Sequence, residues 1–584
     1  MEGHLWTSIS EGSRRTPMRK TLACLTVALT TLAAGCASLP TNSAPHVIRS
    51  FAPEETETQA AGPKDGQESD LLLRDFYHAS ATPDSDYEAA RAYLTEGASA
   101  AWDPSGQKLV VDSIGMTTLP GSSVGQRSYS VHGEVVGVVR SGGSYSPERG
   151  DYEATIDMEM VDGQWRISSL PEGVVFERTE LRNQYQPYNL YFFDQDDREL
   201  VTDRRWVHSR RETLASDLIG LLMEGPSERL RPALTGSLPS SVSYTGEQDG
   251  AYTFTGFAGV SEDERARFAA QVVWTLATAG VTGPYELKAD GQPLIDGTDS
   301  LDTDDFIAAS PLVETVGETK LYALAGGKVV RVDERSTQPV EGSLGAASDV
   351  IFADIAKDGE WAAIFGKPGD AEDDIFRVGK FDGSEAEVMR AGTFTRPAFE
   401  PDAAAVWTVA DGKRILRTVQ SAATGSLTTG EVKVELPDGV DGNISVLRLS
   451  RTGTRVVMVI DGRLYTGIVR RQPSGERSIV NVYEYAHELS GSVISADWRP
   501  DGSLLVGTTS TTPVMRVEQD GSSMTAMSAG NISAPVVAVA ASPSTLYVTD
   551  ANALLQVPAS GADNPIWREV PGLEGVRALP ITSR

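Results

Sequence analysis

Cysteine is almost absent from this chain: two residues, Cys24 and Cys36, both near the N-terminus. The body therefore has no disulfide framework and no paired thiolates for a zinc site. Histidine is nearly as scarce, at six residues, and none forms a His-Glu-x-x-His pair. Beyond residue 36 no apolar run reaches the roughly 20 residues that a membrane-crossing helix needs. Positive charge is short as well. Lys and Arg number 51 against 81 Asp and Glu, a net charge of −30 at pH 7. A nucleic-acid groove needs clustered Lys and Arg. None is legible after the first 35 residues, so no nucleic-acid partner is expected. Such acidity favours solubility and discourages non-specific adhesion to phosphate-rich polymers and anionic lipid. Walker and dinucleotide-binding glycine motifs are missing too. One literal Gly-x-Ser-x-Gly match exists, Gly121-Ser122-Ser123-Val124-Gly125. A nucleophile elbow requires a strand before it and a helix after it. Here Pro120 precedes and a strand-like run, Tyr129 to Val139, follows, which makes a hairpin loop. No catalytic residue, cofactor or metal site is assigned, and the chain is read as a non-enzyme.

What is present begins at Cys36. It ends the run Leu32-Ala33-Ala34-Gly35-Cys36, after an apolar segment, Thr21 to Ala34, preceded by Arg14, Arg15, Arg19 and Lys20. A basic region, a short apolar region and a small-residue cleavage site make residues 1–35 a signal peptide. A Cys directly after the small residues makes this a bacterial lipobox, with Ala33 where Leu is usual. Cys24 leaves with the signal, so the mature chain keeps one thiol at its first position. A lone thiol in an exported chain needs a reason, and lipidation of Cys36 supplies one. Two or more acyl chains anchor a protein stably where one does not. Met18 is an alternative start. Arg14-Arg15 is followed by Pro17 and Met18, which argues against twin-arginine export. Residues 36–66, with Pro40, Pro45, Pro53 and Pro63 among Thr, Ser and Glu, read as a flexible tether.

The remainder divides by pattern. Residues 67–185 open with two helix faces, Leu72, Leu73, Phe76 and Tyr77, then Tyr87, Ala90 and Leu94. Tyr152, Ala154, Ile156, Met158 and Met160 then alternate with polar residues, as one face of a half-buried antiparallel strand does. Helices followed by a curved sheet make an NTF2-like α+β cone, its pocket expected to be filled by its own side chains. Residues 186–297 read as strand, helix, strands, helix, strand. Ser209 is placed as the cap of a helix carrying Leu214, Leu218, Leu221 and Leu222, stopped by Gly225-Pro226. Ser261 with Glu264 makes a capping box for a second helix carrying Phe268, Val272, Thr275 and Leu276. Residues 298–309 are acidic. Asp302, Asp304 and Asp305 lack the Gly and distal Glu of a calcium loop, so the segment is read as a solvated linker. Residues 310–584 hold a repeat: Ala356 to Trp361, Glu400 to Ala403, Ser450 to Gly453, Arg499 to Gly502 and Ser542 to Ser544, each followed by a short apolar run. Asp358, Asp402, Thr452, Asp501 and Ser544 are spaced as propeller blades are, about 40 to 50 residues apart. Five turns and an opening half-blade give five or six blades. Trp361, Trp407 and Trp498 near the turns are expected to pack between blades.

The order of these parts resembles a known family. The second domain, with Leu221 to Pro226 at its helix end, resembles the GerMN sporulation and germination domain. Together with Gly35 to Pro40, Ser43-Ala44-Pro45 and the strand Asp162 to Val174, the chain resembles the LpqB-type lipoproteins of actinobacteria. The resemblance implies an α+β cone, a GerMN-like domain and a propeller, lipidation at Cys36, and a place on the extracytoplasmic face of the cell membrane. It also implies a partner, the extracytoplasmic domain of an MtrB-type sensor histidine kinase, and through it an influence on response-regulator phosphorylation, cell-wall homeostasis and division. Two alternatives stay open: a lipid-anchored ligand carrier or scaffold using the cone, and a cell-wall hydrolase using the propeller mouth, with two carboxylates about 5 to 9 Å apart.

Overall fold

Leu72, Leu73, Phe76 and Tyr77 lie on one buried face of helix α1 (Ser69–Ala79), as their spacing predicts. The computed structural model describes residues 62–584 apart from 122, 236–237, 313–318, 357–358, 368, 370–371, 422, 473, 528–529, 561–565 and 584. Cys36, the signal peptide and almost all of the tether lie outside the described residues. Helices α2 (Asp84–Arg91) and α3 (Glu96–Ala101) follow α1. Tyr87 and Ala90 are buried on α2, while Leu94 lies past its end in a bridge to Ile167. The helices cover a sheet of β1 (Lys108–Val111), β2 (Gly115–Thr118), β3 (Gln126–Val139), β4 (Tyr145–Val161), β5 (Gln164–Ser169) and β6 (Val174–Glu177). Its order is β5-β4-β3-β1-β6, with β2 also on β3. Phe76 and Tyr87 both meet Trp102 edge-on, with ring centroids 5.8 and 5.7 Å apart, so aromatic area rather than ligand fills the cone. Ile156 and Met158 are buried as alternation predicts, but Met160 is 46% exposed. It sits at the end of β4 beside the Gly121–Gly125 loop, its N–H donating to the Gly125 carbonyl. The alternation continues there after the cover has ended.

Helix α4 (Arg178–Gln184) leads into the second domain, where β7 (Gln186–Phe193) and β8 (Leu200–Val207) pair as a hairpin. Helix α5 spans Leu214–Glu224 and is preceded by Thr213. Ser209 is not its cap: its hydroxyl donates to Asp217 Oδ2 at 2.6 Å, beside Thr213, which does the same at 2.9 Å. The buried face uses Leu214, Leu218, Ile219 and Leu222, with Ile219 in place of Leu221. Strands β9 (Ser243–Gln248), β10 (Ala251–Thr255), β11 (Glu286–Ala289) and β12 (Gln292–Pro293) form a second sheet in the order β12-β11-β10-β9. Strands β10 and β11 run parallel. Such a pair needs a crossover, which is helix α6 (Glu262–Thr278). Its capping box is complete: Ser261 N donates to Glu264 Oε2 at 2.9 Å and Glu264 N to Ser261 Oγ at 3.3 Å. Phe268, Val272, Thr275 and Leu276 are all buried.

Residues 298–309 are mostly exposed, as a solvated linker would be, but they carry more order than that reading gives them. Leu301 is buried and exchanges backbone hydrogen bonds with Tyr285. Asp302 and Asp305 cap a short 3₁₀ helix, Thr303–Ala309, and Trp274 Nε1 donates to the Phe306 carbonyl at 3.2 Å. The Asp302 and Asp305 carboxylates accept from backbone N–H groups at the start of the short helix, while the Trp274 bond ties the segment to α6.

The propeller has six blades. Four of the expected turns join the first and second strands of blades three to six, and Ala356 to Trp361 does so in blade two, with Lys357 and Asp358 outside the described residues. The first blade takes its inner strand from the chain end: Leu579–Thr582 pairs antiparallel with Leu321–Ala325. The repeat has a common hydrogen-bond form. Gly359, Ala403, Gly453 and Gly502 each donate to the carbonyl three residues back, and each has positive φ, from +56° at Ala403 to +85° at Gly359. Trp361, Trp407 and Trp498 are buried and pack between neighbouring blades.

Candidate functional site

A propeller's central channel is lined by its inner strands. One repeat position, four residues before each aligned turn residue, points there: Asp354, Ala398, Arg448, Asp497 and Ala540. Arg448 is 2% exposed. Its Nη2 lies 3.4 Å from Asp354 Oδ1, its Nε 3.4 Å from Asp497 Oδ1, and its Nη1 donates to the Pro397 carbonyl at 2.6 Å. Arg396 adds a second cation 3.3 Å from Asp354. Burial alone would lower the Arg448 pKa, but the Asp354 and Asp497 carboxylates outweigh it and hold the group above its ordinary value. Asp354 and Asp497 are thus both engaged by one guanidinium. The cluster ties blades two, four and five together and leaves no free acid–base pair at this point.

The cone offers little more. Phe76, Tyr77, Trp102, Tyr152 and Ile156 leave a cavity of about 10 Å³, at the lower limit for one water. The Gly121–Gly125 loop joins β2 to β3; Val124 is fully exposed and Ser123 Oγ donates to Gln126 Oε1 at 3.1 Å. It is the expected hairpin loop. Ser122 lies outside the described residues, as does Cys36.

The largest constellation lies where the three domains meet. Strand β8 presents Thr202, Arg204 and Trp206 toward the propeller. The blade-five turn Glu518 to Ser523 answers them: Trp206 Nε1 donates to Asp520 Oδ2 at 2.9 Å, and Arg204 pairs with Glu518 at 3.1 Å and Asp520 at 3.4 Å. The same turn reaches the first domain. Gly521 has φ +75°, and a Cβ there would lie 2.5 Å from Pro147 Cγ. Beside them on β8, Arg205 pairs with Asp203 at 2.8 Å and donates to the Gly142 carbonyl of the first domain. Blade four completes the contact. Ile468 and Val480 join the apolar core of the second domain with Leu230 and Ala233. Asn481 Nδ2 donates to the Arg229 carbonyl at 2.7 Å, and Arg471 pairs with Asp194 and Asp196. Together these walls enclose a cavity of about 290 Å³. Tyr483 lies in its wall; burial pushes its phenol up, with Arg229 opposing, so it stays a neutral hydroxyl. No local motif announces this junction, because its residues span positions 140 to 520. Its one legible trace was the charged strand Asp203-Arg204-Arg205-Trp206.

A cone-like α+β domain, a GerMN-type α+β domain and a six-bladed propeller, fused in one body, define a multidomain protein of the LpqB architecture. Family models agree: residues 62–182 match the lipoprotein LpqB N-terminal domain, 189–295 the sporulation and spore germination domain, and 327–582 the lipoprotein LpqB β-propeller domain. Lipoprotein LpqB of Corynebacterium diphtheriae is 40% identical over 96% of this chain and 98% of its own length. The Rhodococcus opacus protein of that name is 36% identical over 97% and 99%. That of Mycobacterium bovis BCG is 31% identical over 94% and 97%. The chain belongs to the LpqB lipoprotein family.

Proposed function

We propose that this protein is held at the extracytoplasmic face of the cell membrane by lipid on Cys36 and acts there as an accessory regulator of an MtrB-type sensor histidine kinase. Through that kinase it influences response-regulator phosphorylation, cell-wall homeostasis and division. The observation that carries the reading is Cys36 itself, the one thiol left after the signal, in a chain whose relatives are lipoproteins by name. No described helix is long and apolar enough to cross a membrane, which leaves the anchoring role to lipid in this reading. A tether of some 30 residues confines the body near a membrane-embedded kinase at effective concentrations of roughly millimolar, so weak contacts suffice. Regulation then requires only that the body bind one kinase conformer better than the other. The carrier and hydrolase readings have less support: the cone is filled, and the channel carboxylates are engaged by Arg448.

The test is a C36S chain expressed in place of the natural one. The expected result is its loss from the membrane fraction and a changed level of phosphorylated response regulator. A C36S chain that stays membrane-bound and leaves phosphorylation unchanged contradicts the reading.

A further inference from the structure

We propose that the three-domain junction is a binding site for a small phosphate-bearing solute or headgroup, gripped by Arg229 and Arg455. This is independent of the kinase reading above. Both guanidinia belong to the wall of the 290 Å³ cavity. Among the described residues, no carboxylate lies within ion-pair distance of either. Arg455 donates from Nη2 to the Thr202 carbonyl at 2.5 Å. Arg229 lies over the Tyr483 ring, its Cζ 3.8 Å from the centroid, and its Nη1 is buried with no hydrogen-bond partner.

The contrast with their neighbours is chemical. Arg140 is matched by Glu148 and Arg204 by Glu518 and Asp520. Asp203 in the same wall is claimed by Arg205 and by the Ser227 N–H at 2.7 Å. Glu228, the remaining carboxylate of the wall, is exposed. So the acids nearest the cavity are spoken for, and two cations are left with donors to spare. Burial pushes the Arg455 pKa down, only partly offset by Asp203, yet an arginine keeps its charge in a protein. Arg229 and Arg455 are half-buried, so each bears part of the desolvation cost of an unpartnered charge, and a doubly charged oxyanion offsets it. Planar guanidinium forks fit phosphate oxygens in pairs, and the cavity has room for pyrophosphate or a small phosphate ester. Because the wall is drawn from all three domains, an occupant would bridge them.

The experiment uses the chain from residue 37 onward and measures phenylglyoxal modification of individual arginines by peptide mass. The probes are pyrophosphate, inorganic phosphate, and vesicles of phosphatidylglycerol or of phosphatidylcholine alone. The expected result is at least tenfold slower modification of Arg229 and Arg455 with pyrophosphate or with phosphatidylglycerol vesicles, while the exposed Arg390 is unaffected. Protection by the soluble anion assigns a free solute; protection by phosphatidylglycerol alone assigns a lipid headgroup. In calorimetry R455M and R229Q should each weaken binding of the protecting probe at least tenfold, and R390A should leave it unchanged. Protection by no probe, equal protection of Arg390, or unchanged affinity in both folded variants overturns the proposal.

Discussion

Arg448 and Arg455 stand on adjacent strands of the same blade, seven positions apart, the first buried and the second half-buried. Their settings differ. Arg448 is met by two carboxylates and a carbonyl in the channel; Arg455 meets one carbonyl and a cavity. The first is a fastening between blades and has no capacity left for a ligand. The second has charge and donors without partners. Burial of a charged group is therefore not in itself a sign of a site; what matters is whether its neighbours complete it.

Substitution should separate the two. R448M removes the guanidinium between Asp354 and Asp497, leaving Asp354 to Arg396 and the Phe399 N–H, and should cost about 3 kcal/mol, read by chemical denaturation. D520A removes the acceptor of Trp206 and one partner of Arg204, and should cost about 2 kcal/mol by the same measurement. R455M, by contrast, loses one hydrogen bond and an unmatched charge together, and should stay within about 1 kcal/mol of the natural chain. Equal losses for R448M and R455M would break the comparison.

Another buried ion pair sharpens it through pH. Burial would raise the Glu400 carboxyl, but Arg417, at 2.7 and 2.9 Å, and Trp407 together hold it below its ordinary value. Its contribution is therefore complete above the unfolded carboxylate value of about 4.3 and is lost as pH falls through the lower folded value. Stability measured against pH should fall less steeply on the acid side in E400Q than in the natural chain. The smallest effect concerns Ala403, which holds φ +56° where Gly359, Gly453 and Gly502 stand in three of the other turns. A403G should gain about 0.5 to 1 kcal/mol, seen as a small rise in Tm.

What could be read from sequence was what lies close together in it. Ser261 and Glu264 are one helical turn apart, and their reciprocal bonds follow from type and spacing alone. The blade turns carry their own geometry in Asp-Gly and Thr-Gly pairs, so the repeat was legible; the blade count needed the chain end, because Leu579–Thr582 closes on Leu321–Ala325 across the whole domain. Ser209 failed as a cap because Thr213 lies nearer the first helical residue and Asp217 takes both hydroxyls. Residues 298–309 hold a short helix that the linker reading left out, because acidity marks a helix N-terminus as well as a solvated segment, and only the bonds of Leu301 to Tyr285 and of Phe306 to Trp274 distinguish the two. The junction was hidden for the same reason: Arg229, Arg455 and Asp520 are distant in sequence, and nothing local shows which arginine lacks an acid.

The proposed role at the membrane requires contact between the body and a kinase. The direct measurement is binding of the chain from residue 37 onward to the kinase's purified extracytoplasmic domain, titrated to about 1 mM to match tethered concentrations. Saturable binding within that range is the expected result. No binding at 1 mM would contradict the claim.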